Sequence, residues 1–400
     1  MDLHTIFLYL AIILFLARVI GDTFGRLGLP PVLGEILVGV LLGKSALGLI
    51  QPSEVIRLLA EIGVILLLFH IGLEADINQL KKVGLSAFVV AFVGAFTPMV
   101  LGTLLSYYVL NLPLTVSLFI GGTLTATSIG ITVRVLDDLG KMRERFAQIV
   151  LGAAVLDDIF GVIVLAGLYE FSKEGVVHFD AITMLVLYIA TFFIFSPILA
   201  QILARIITIL SKKLKTEDFI PPTVVATIFL FAFLAHEVGS PEILGAFTAG
   251  LALSRRFALP FAVFLRTDER LAHKVEHTIM PLVWVLTPIF FVYVGLQLNL
   301  KAIDFSSAKF WVLSLLVLGV AVFGKVISGF FVRGALREKL LIGFSMLPRG
   351  EVGLIFAEFG RQSGLYDDTL YAVVIFVVAI TTLLALLFSS ILQRNESRRL

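Results

Sequence analysis

"PPVLGEILVG", residues 30–39, returns 211 positions later as "PEILGAFTAG", residues 241–250, with the pattern Pro-x-x-Leu-Gly-x4-Gly kept in both. A second pair follows at an offset of 223, "HIGLEADI" at 70–77 against "YVGLQLNL" at 293–300. The twelve extra residues fit the long basic stretch around 255–277. The chain reads as a duplicated unit, and the composition around the two copies decides what kind of unit it is.

Of 400 residues, 59% are hydrophobic and 15% charged, with 35 Phe and a mean hydropathy of +1.04. An ordinary soluble domain has about 45–50% apolar and about 25% charged residues. A bilayer core about 30 Å thick takes about 20 apolar residues per helix, whereas barrel strands alternate apolar with polar. Long unbroken apolar runs therefore predict an all-α polytopic membrane protein. Thirteen transmembrane helices are expected, at about 3–20, 29–43, 54–74, 86–110, 113–136, 146–170, 181–210, 221–238, 241–254, 276–300, 309–332, 338–360 and 367–393. The first run opens with Asp2 and lacks a basic n-region and a small-x-small cleavage site, so it is read as span 1.

Basic residues test that count. Of 31 Lys and Arg, 23 follow odd-numbered spans, 6 lie in the other loops, and two, Lys325 and Arg349, lie inside spans. The positive-inside rule then puts the N-terminus outside and the C-terminus in the cytoplasm. Because topology explains the basic residues, the net charge of +2 gives no argument for a nucleic-acid partner. The absence of Cys excludes disulfides and thiolate metal sites, and His70 and His236 lack metal-ligand spacing.

Spans 2–6 correspond to spans 9–13. Seven spans separate the equivalents, an odd number, so the copies cross the membrane in opposite directions, as in the inverted repeats of secondary transporters. The offset of 223 also lays "TATS" (125–128) on "PRGE" (348–351), and Gly130 on Gly353. Both stretches are small, polar or helix-breaking and fall near mid-membrane. They predict two discontinuous helices that cross there, an arrangement tolerated only around a cavity or inside protein.

Asp157 and Asp158 sit in "GAAVLDDIFGVIVLA", about twelve residues from Arg145 and from Glu170, which is about 18 Å at 1.5 Å per residue. Neither can snorkel. A charge at that depth costs about 2.5–3.5 kcal/mol, so two adjacent ones need a partner or a water-filled path. Neighbours on a helix point about 100° apart, which suggests that the two acids divide the work. Lys325, in "FGKVISGFF", is the candidate partner of one, and its equivalent in the first repeat is Gly102. A structural salt bridge is one reading of the pair. A proton-coupled switch is the other, since a desolvated lysine shifts its pKa readily. Arg349 and Glu351 are read as a structural charge pair, because guanidinium does not release its proton. Glu35, Glu61, Glu74, Glu237 and Glu358 are read as helix-packing acids.

Together, "GAAVLDDIFGVIVLA", "TATSIGITVRVL", "FGKVISGF", "PRGEVGLI" and "FHIGLE" resemble the sodium/proton antiporters of the cation:proton antiporter-2 family, most closely the bacterial NapA type. The resemblance covers essentially the whole chain and implies an NhaA/NapA-like fold. It implies a homodimer in the cytoplasmic membrane, with spans 4–6 and 11–13 (about 86–170 and 309–393) as a moving core domain. Spans 1–3 and 8–10 (about 3–74 and 221–300) would form the dimerisation domain, with span 7 (about 181–210) as linker. By motif, Asp158 would bind Na⁺, Asp157 would pair with Lys325, and Thr127 and Ser128 would add oxygens. The implied activity is exchange of Na⁺ or Li⁺ for H⁺ in pH homeostasis, without a cofactor. Adjacent acids resemble the electrogenic members, which exchange two protons per sodium.

Kef-type potassium/proton systems are the alternative. They usually carry Gln at the first acid position and a cytoplasmic nucleotide-binding domain, whereas this chain has Asp157 and about seven residues after its last span. An intramembrane aspartyl protease would need acids on separate helices and a Gly-x-Gly-Asp setting, which is missing. Carboxylate and hydroxyl oxygens suit hard cations in general, so the sequence leaves Na⁺ against K⁺ open.

Overall fold

The computed structural model describes residues 3–27, 29, 31–74, 77–174, 179–214, 219–254, 269–298, 300–302, 305–349, 353, 356–357, 360–361 and 363–397. Among the described residues fourteen α-helices have defined ends: α1 (Leu3–Arg26), α2 (Pro31–Leu42), α3 (Glu54–Glu74), α4 (Ile77–Leu104), α5 (Leu114–Thr123), α6 (Ile129–Asp138), α7 (Arg145–Glu174), α8 (Phe179–Leu214), α9 (Ile220–Glu237), α10 (Glu242–Leu253), α11 (Glu269–Gln297), α12 (Ala308–Val326), α13 (Leu336–Ser345) and α14 (Asp368–Ser397). Among the described residues nine helices are long and apolar enough to cross a membrane, and α2, α5 and α10 are shorter apolar helices. One compact unit holds residues 1–54, 83–178 and 291–400, and the other 55–82 and 179–290.

The duplication read from the two sequence pairs is visible in the helix ends. Displaced by 211 residues, α2 falls end for end on α10, and displaced by 223, α7 falls end for end on α14. Packing repeats as well. In the first unit, a Cβ on Gly39 would lie 2.0 Å from the Val292 carbonyl, and one on Gly295 would lie 2.1 Å from the Ile36 carbonyl, so α2 and α11 touch backbone to backbone. In the second unit the equivalent glycines do the same: Gly250 meets the Phe69 carbonyl at 2.1 Å and Gly72 the Phe247 carbonyl at 2.3 Å. Only glycine permits such an approach.

The repeat reaches further than the sequence suggested. Gly34 lies against the carbonyl of Ile20 on α1, and Gly245 against the carbonyl of Phe231 on α9, equivalent contacts at the 211 offset. Thus α1 corresponds to α9, extending the repeat beyond spans 2–6 and 9–13.

Two helix interruptions lie where "TATS" and "PRGE" predict them. α5 ends at Thr123, the next residues close in short turns, and α6 begins at Ile129 with the Ser128 hydroxyl accepting from the Ile131 amide at 3.5 Å. In the second repeat α13 ends at Ser345 and residues 347–349 leave the helix. Pro348 lacks an amide hydrogen and disfavours helical geometry at Leu347. Around these breaks α5, α12 and α14 bury Phe119, Phe310, Val373 and Val377 in one apolar cluster that also takes in Phe356. The helices preceding them also end irregularly, α4 in a wide π turn (Leu105–Val109) and α12 in a tight 3₁₀ turn (Ile327–Phe331).

Candidate functional site

Six polar residues singled out from the sequence lie in the first unit, and all are buried. Asp157 and Lys325 are fully buried, Arg349 and Thr127 are 1% exposed, Asp158 2% and Ser128 3%. Such burial in an apolar protein requires that the charges answer one another.

Lys325 lies in the last turn of α12. Its neighbour Gly324 lets α12 press on Pro98 of α4, where a Cβ would stand 2.7 Å from Pro98 Cβ. Gly94 leaves space beside the lysine stem, its notional Cβ being 3.8 Å from Lys325 Cδ. Threaded through this gap, Nζ donates to the Thr125 carbonyl, to Thr127 Oγ1 at 2.7 Å, and to Asp157 Oδ1 and Oδ2 at 3.2 and 3.1 Å. Three ammonium hydrogens thus meet four acceptors, the last being shared by the two carboxylate oxygens.

Arg349 serves the same break from the other repeat. Its Nη1 donates to the carbonyls of Thr123 at 3.2 Å and Ala126 at 3.1 Å. The end of α5 would otherwise leave carbonyls unpaired in a low-dielectric interior, and cations at a helix C-terminus also complement its dipole. Nε and Nη2 of Arg349 have no hydrogen-bond partner among the described residues.

The first repeat returns the service. The Ser128 amide donates to the Pro348 carbonyl at 2.8 Å, Thr127 Oγ1 to the Met346 carbonyl at 3.0 Å, and Thr132 Oγ1 to the Ser345 carbonyl at 3.0 Å. Thr382 of α14 completes the bracing, its hydroxyl lying 3.1 Å from the Arg349 amide and 2.8 Å from the Arg349 carbonyl. Each break is held by groups that the other repeat supplies, and the second also by Thr382 from a helix of its own repeat.

The structure therefore joins Asp157, Lys325 and Thr127 directly, with Ser128 and Arg349 in the same network and Asp158 buried beside Asp157 on α7. The Ser128 hydroxyl itself caps α6. Glu351 lies outside the described residues, so the expected Arg349–Glu351 pair rests on the sequence. Of the other acids, Glu61 pairs with Arg57 at 3.2 Å, Glu237 is exposed, and Glu35 is buried with Oε2 unpartnered among the described residues. The side chain of Glu74 and all of Glu358 lie outside the described residues. His236, isolated in sequence, has Nδ1 2.8 Å from Glu242 Oε1. No group of three or more His, Asp or Glu able to hold a metal occurs among the described residues.

Sequence reasoning missed Thr132, Thr382 and the backbone carbonyls of Thr125 and Met346. A polar pair inside an apolar run, "AITTLL", is the signal that could have drawn attention to Thr382. Carbonyl roles have no residue signature.

A family model described as sodium/hydrogen exchanger, transmembrane, matches residues 11–393. The high-affinity Na⁺/H⁺ antiporter NhaS3 of Synechocystis sp. is 34% identical over 95% of this chain and 88% of its own length. The Na⁺/H⁺-K⁺ antiporter GerN of Bacillus cereus is 33% identical over 94% of each chain, and a Na⁺/H⁺ antiporter of Enterococcus hirae 32% identical over 95% and 96%. Among solved structures, the sodium proton antiporter MjNhaP1 of Methanocaldococcus jannaschii superposes with a TM-score of 0.68 at 19% identity, covering 99% of this chain and 98% of that one. That likeness concerns the fold.

Proposed function

This chain belongs to the transmembrane sodium/hydrogen exchanger family, and from that premise we propose how its buried charges exchange Na⁺ or Li⁺ for H⁺. It is a membrane transporter rather than an enzyme. The observation that carries the reading is the fully buried Asp157–Lys325 pair, 3.1 Å apart, set between two helix breaks beside a second buried carboxylate, Asp158.

The cation binds at Asp158, in competition with a proton, with hydroxyl oxygens from Thr127 and Ser128. Carboxylate and hydroxyl oxygens are the hard ligands that an alkali cation takes. Lys325 holds the second exchangeable proton. In the proton-loaded state Asp158 is neutral and the Lys325 ammonium is paired with Asp157. An arriving cation expels the Asp158 proton, and its positive charge beside Asp157 also favours loss of the Lys325 proton. Two protons leave for one cation, and the cycle moves net charge.

The thirteen spans run from an extracytoplasmic N-terminus to a cytoplasmic C-terminus, and the two broken helices cross at mid-membrane. Support comes from the asymmetry of basic residues and from the hydrogen bonds joining the breaks. In a homodimer of the cytoplasmic membrane, spans 4–6 and 11–13 move as the core against spans 1–3 and 8–10, giving alternating access. Reporter fusions placing both ends on one side would overturn the span count.

Potassium is a second reading, because the name of the relative GerN includes K⁺ beside Na⁺. A panel of Na⁺, Li⁺ and K⁺ gradients in proteoliposomes at several pH values decides it. Proton movement driven by Na⁺ and Li⁺ is expected; movement driven by K⁺ alone selects the second reading, and movement with none of them defeats both.

A further inference from the structure

Thr127 holds two bonds that its single hydrogen ties together. Its Oγ1 accepts from Lys325 Nζ at 2.7 Å and donates to the Met346 carbonyl at 3.0 Å. The first bond reports on a group that gains and loses a proton. The second ends on Met346, the C-cap of α13, at the break of the other repeat.

Consider what loss of one proton does to this arrangement. An ammonium has three hydrogens and no lone pair, whereas an amine has two hydrogens and one lone pair that needs a donor. Among the four acceptors around Nζ, the Thr125 carbonyl and the two oxygens of ionised Asp157 have no hydrogen to give. The Thr127 hydroxyl has one. No charged side chain enters from α4 at the point of closest approach, where Gly94 faces the lysine stem. The charged groups that act on Lys325 are Asp157 and Asp158 on α7 and Arg349 beside the second break.

We infer that Thr127 is a positioning residue that relays the protonation state of Lys325 to the second helix break, by turning its hydroxyl from the Met346 carbonyl to Lys325 Nζ when the lysine gives its proton to water. The inference rests on the antiport reading and deepens it. With the ammonium present, Oγ1 spends one lone pair on Nζ and its hydrogen on Met346. After the turn, both lone pairs are released toward a cation and the Met346 carbonyl loses its side-chain bond. Proton loss, an added oxygen ligand and a loosened α13 end thus become one event. Ser128 is placed elsewhere: its hydroxyl accepts from the Ile131 amide, its own amide holds Pro348, and the hydroxyl that Lys325 Nζ meets is that of Thr127.

The Met346 carbonyl gives a readout independent of transport rate. The chain has six Met, so [1-¹³C]methionine labels six carbonyls, and Met346→Leu identifies the band of interest by difference. Infrared difference spectra of the full chain in proteoliposomes, with and without Na⁺, should move that band to higher wavenumber in the parent, as a carbonyl that loses a hydrogen bond does. Thr127→Ser should keep the shift. Thr127→Val should remove it, and should move the pH of half-maximal exchange to the acid side by about half a unit to one unit, because the ammonium loses a charge-assisted bond that exceeds the bond the amine loses. Lys325→Gln, with Thr127 intact, should also abolish the Na⁺-dependent shift. That variant keeps the inference testable if Thr127→Val fails to fold. A parent that exchanges Na⁺ without moving the Met346 band, or a Lys325→Gln variant that still moves it, overturns the relay alone. A parent that exchanges no cation for protons overturns the antiport reading instead.

Discussion

Between Thr123 and Ile129 the chain offers hydroxyls, amides and the open carbonyls of a helix end; at the equivalent place in the second repeat, from Ser345 to Arg349, it offers carbonyls and a guanidinium. The two breaks descend from one pattern, yet the charges sit on opposite partners. Asp157 and Asp158 on α7 are matched on α14 by Ile380 and Thr381, and Lys325 on α12 is matched on α4 by Gly102. Gly102 packs on the first break, its notional Cβ 2.9 Å from Leu124 Cδ1, so that place has no room for a lysine. A symmetric pair of breaks would put like charges face to face, which buried groups do not tolerate. Asymmetry puts acids in one repeat and cations in the other, so each break is capped by what it lacks.

The comparison is hardest to break at the acids. Asp158→Asn should abolish cation-driven proton movement in proteoliposomes while leaving folding and thermal stability close to the parent, because an amide of similar size cannot exchange a proton. Exchange at the parent's rate would move the chemistry off α7. Lys325→Gln comes next. It leaves Asp157 as a buried carboxylate without its cation, a loss of about 3–5 kcal/mol for a broken buried pair. Thermal unfolding should fall accordingly, and transport should either stop or continue with one proton per cation. Solid-supported-membrane currents check this: an unchanged charge per ion would make Lys325 a counter-ion only.

Arg349 separates capping from coupling. Arg349→Met strips the Thr123 and Ala126 carbonyls of their donor, and buried acceptors left unpaired cost about 1–3 kcal/mol. Stability should drop by that order while the charge moved per cation stays that of the parent, since guanidinium carries no exchangeable proton. A change in that stoichiometry would place Arg349 beside Lys325 in the coupling step.

Much of this contrast could be read from residues. The shared Pro-x-x-Leu-Gly-x4-Gly pattern located helices whose ends coincide under the offset, because close helix contacts need glycine and glycine leaves a mark in sequence. Equivalence of α1 and α9 left none; their shared contacts are made by the carbonyls of Ile20 and Phe231, which any residue supplies. "TATS" and "PRGE" located both breaks, and the depth of the two acids marked Lys325 as the partner of one of them; that the partner is Asp157 came with the family resemblance. What held the breaks was hidden, because its acceptors are backbone carbonyls of Thr123, Thr125, Ala126, Ser345, Met346 and Pro348. Carbonyl pairing depends on which helices touch, and a single sequence does not display that.

The smallest effect is expected at Thr382, and it probes the comparison where neither break has a charge. Thr382 braces the second break through the amide and carbonyl of Arg349, while its counterpart in the first repeat is Ile159, which cannot. The first break is instead braced by Lys325 and Arg349 from outside its own repeat. If the two breaks are stabilised by these separate means, Thr382→Val, which keeps the shape and removes the hydroxyl, should cost about 1 kcal/mol, a typical net hydrogen-bond contribution. The change should be purely structural: lower thermal stability with the same pH profile and the same charge per cation, because the Thr382 hydroxyl is bonded to backbone groups. Combined with Arg349→Met, the two losses should fall short of their sum, since Thr382 holds the backbone from which the Arg349 guanidinium reaches the first break, and neighbours in one network couple by about 0.5–3 kcal/mol. Paired instead with Lys325→Gln, whose bonds lie on the first break, Thr382→Val should give losses that add. A double-mutant cycle with the opposite pattern, additive with Arg349 and coupled with Lys325, would mean that the breaks share one support rather than two.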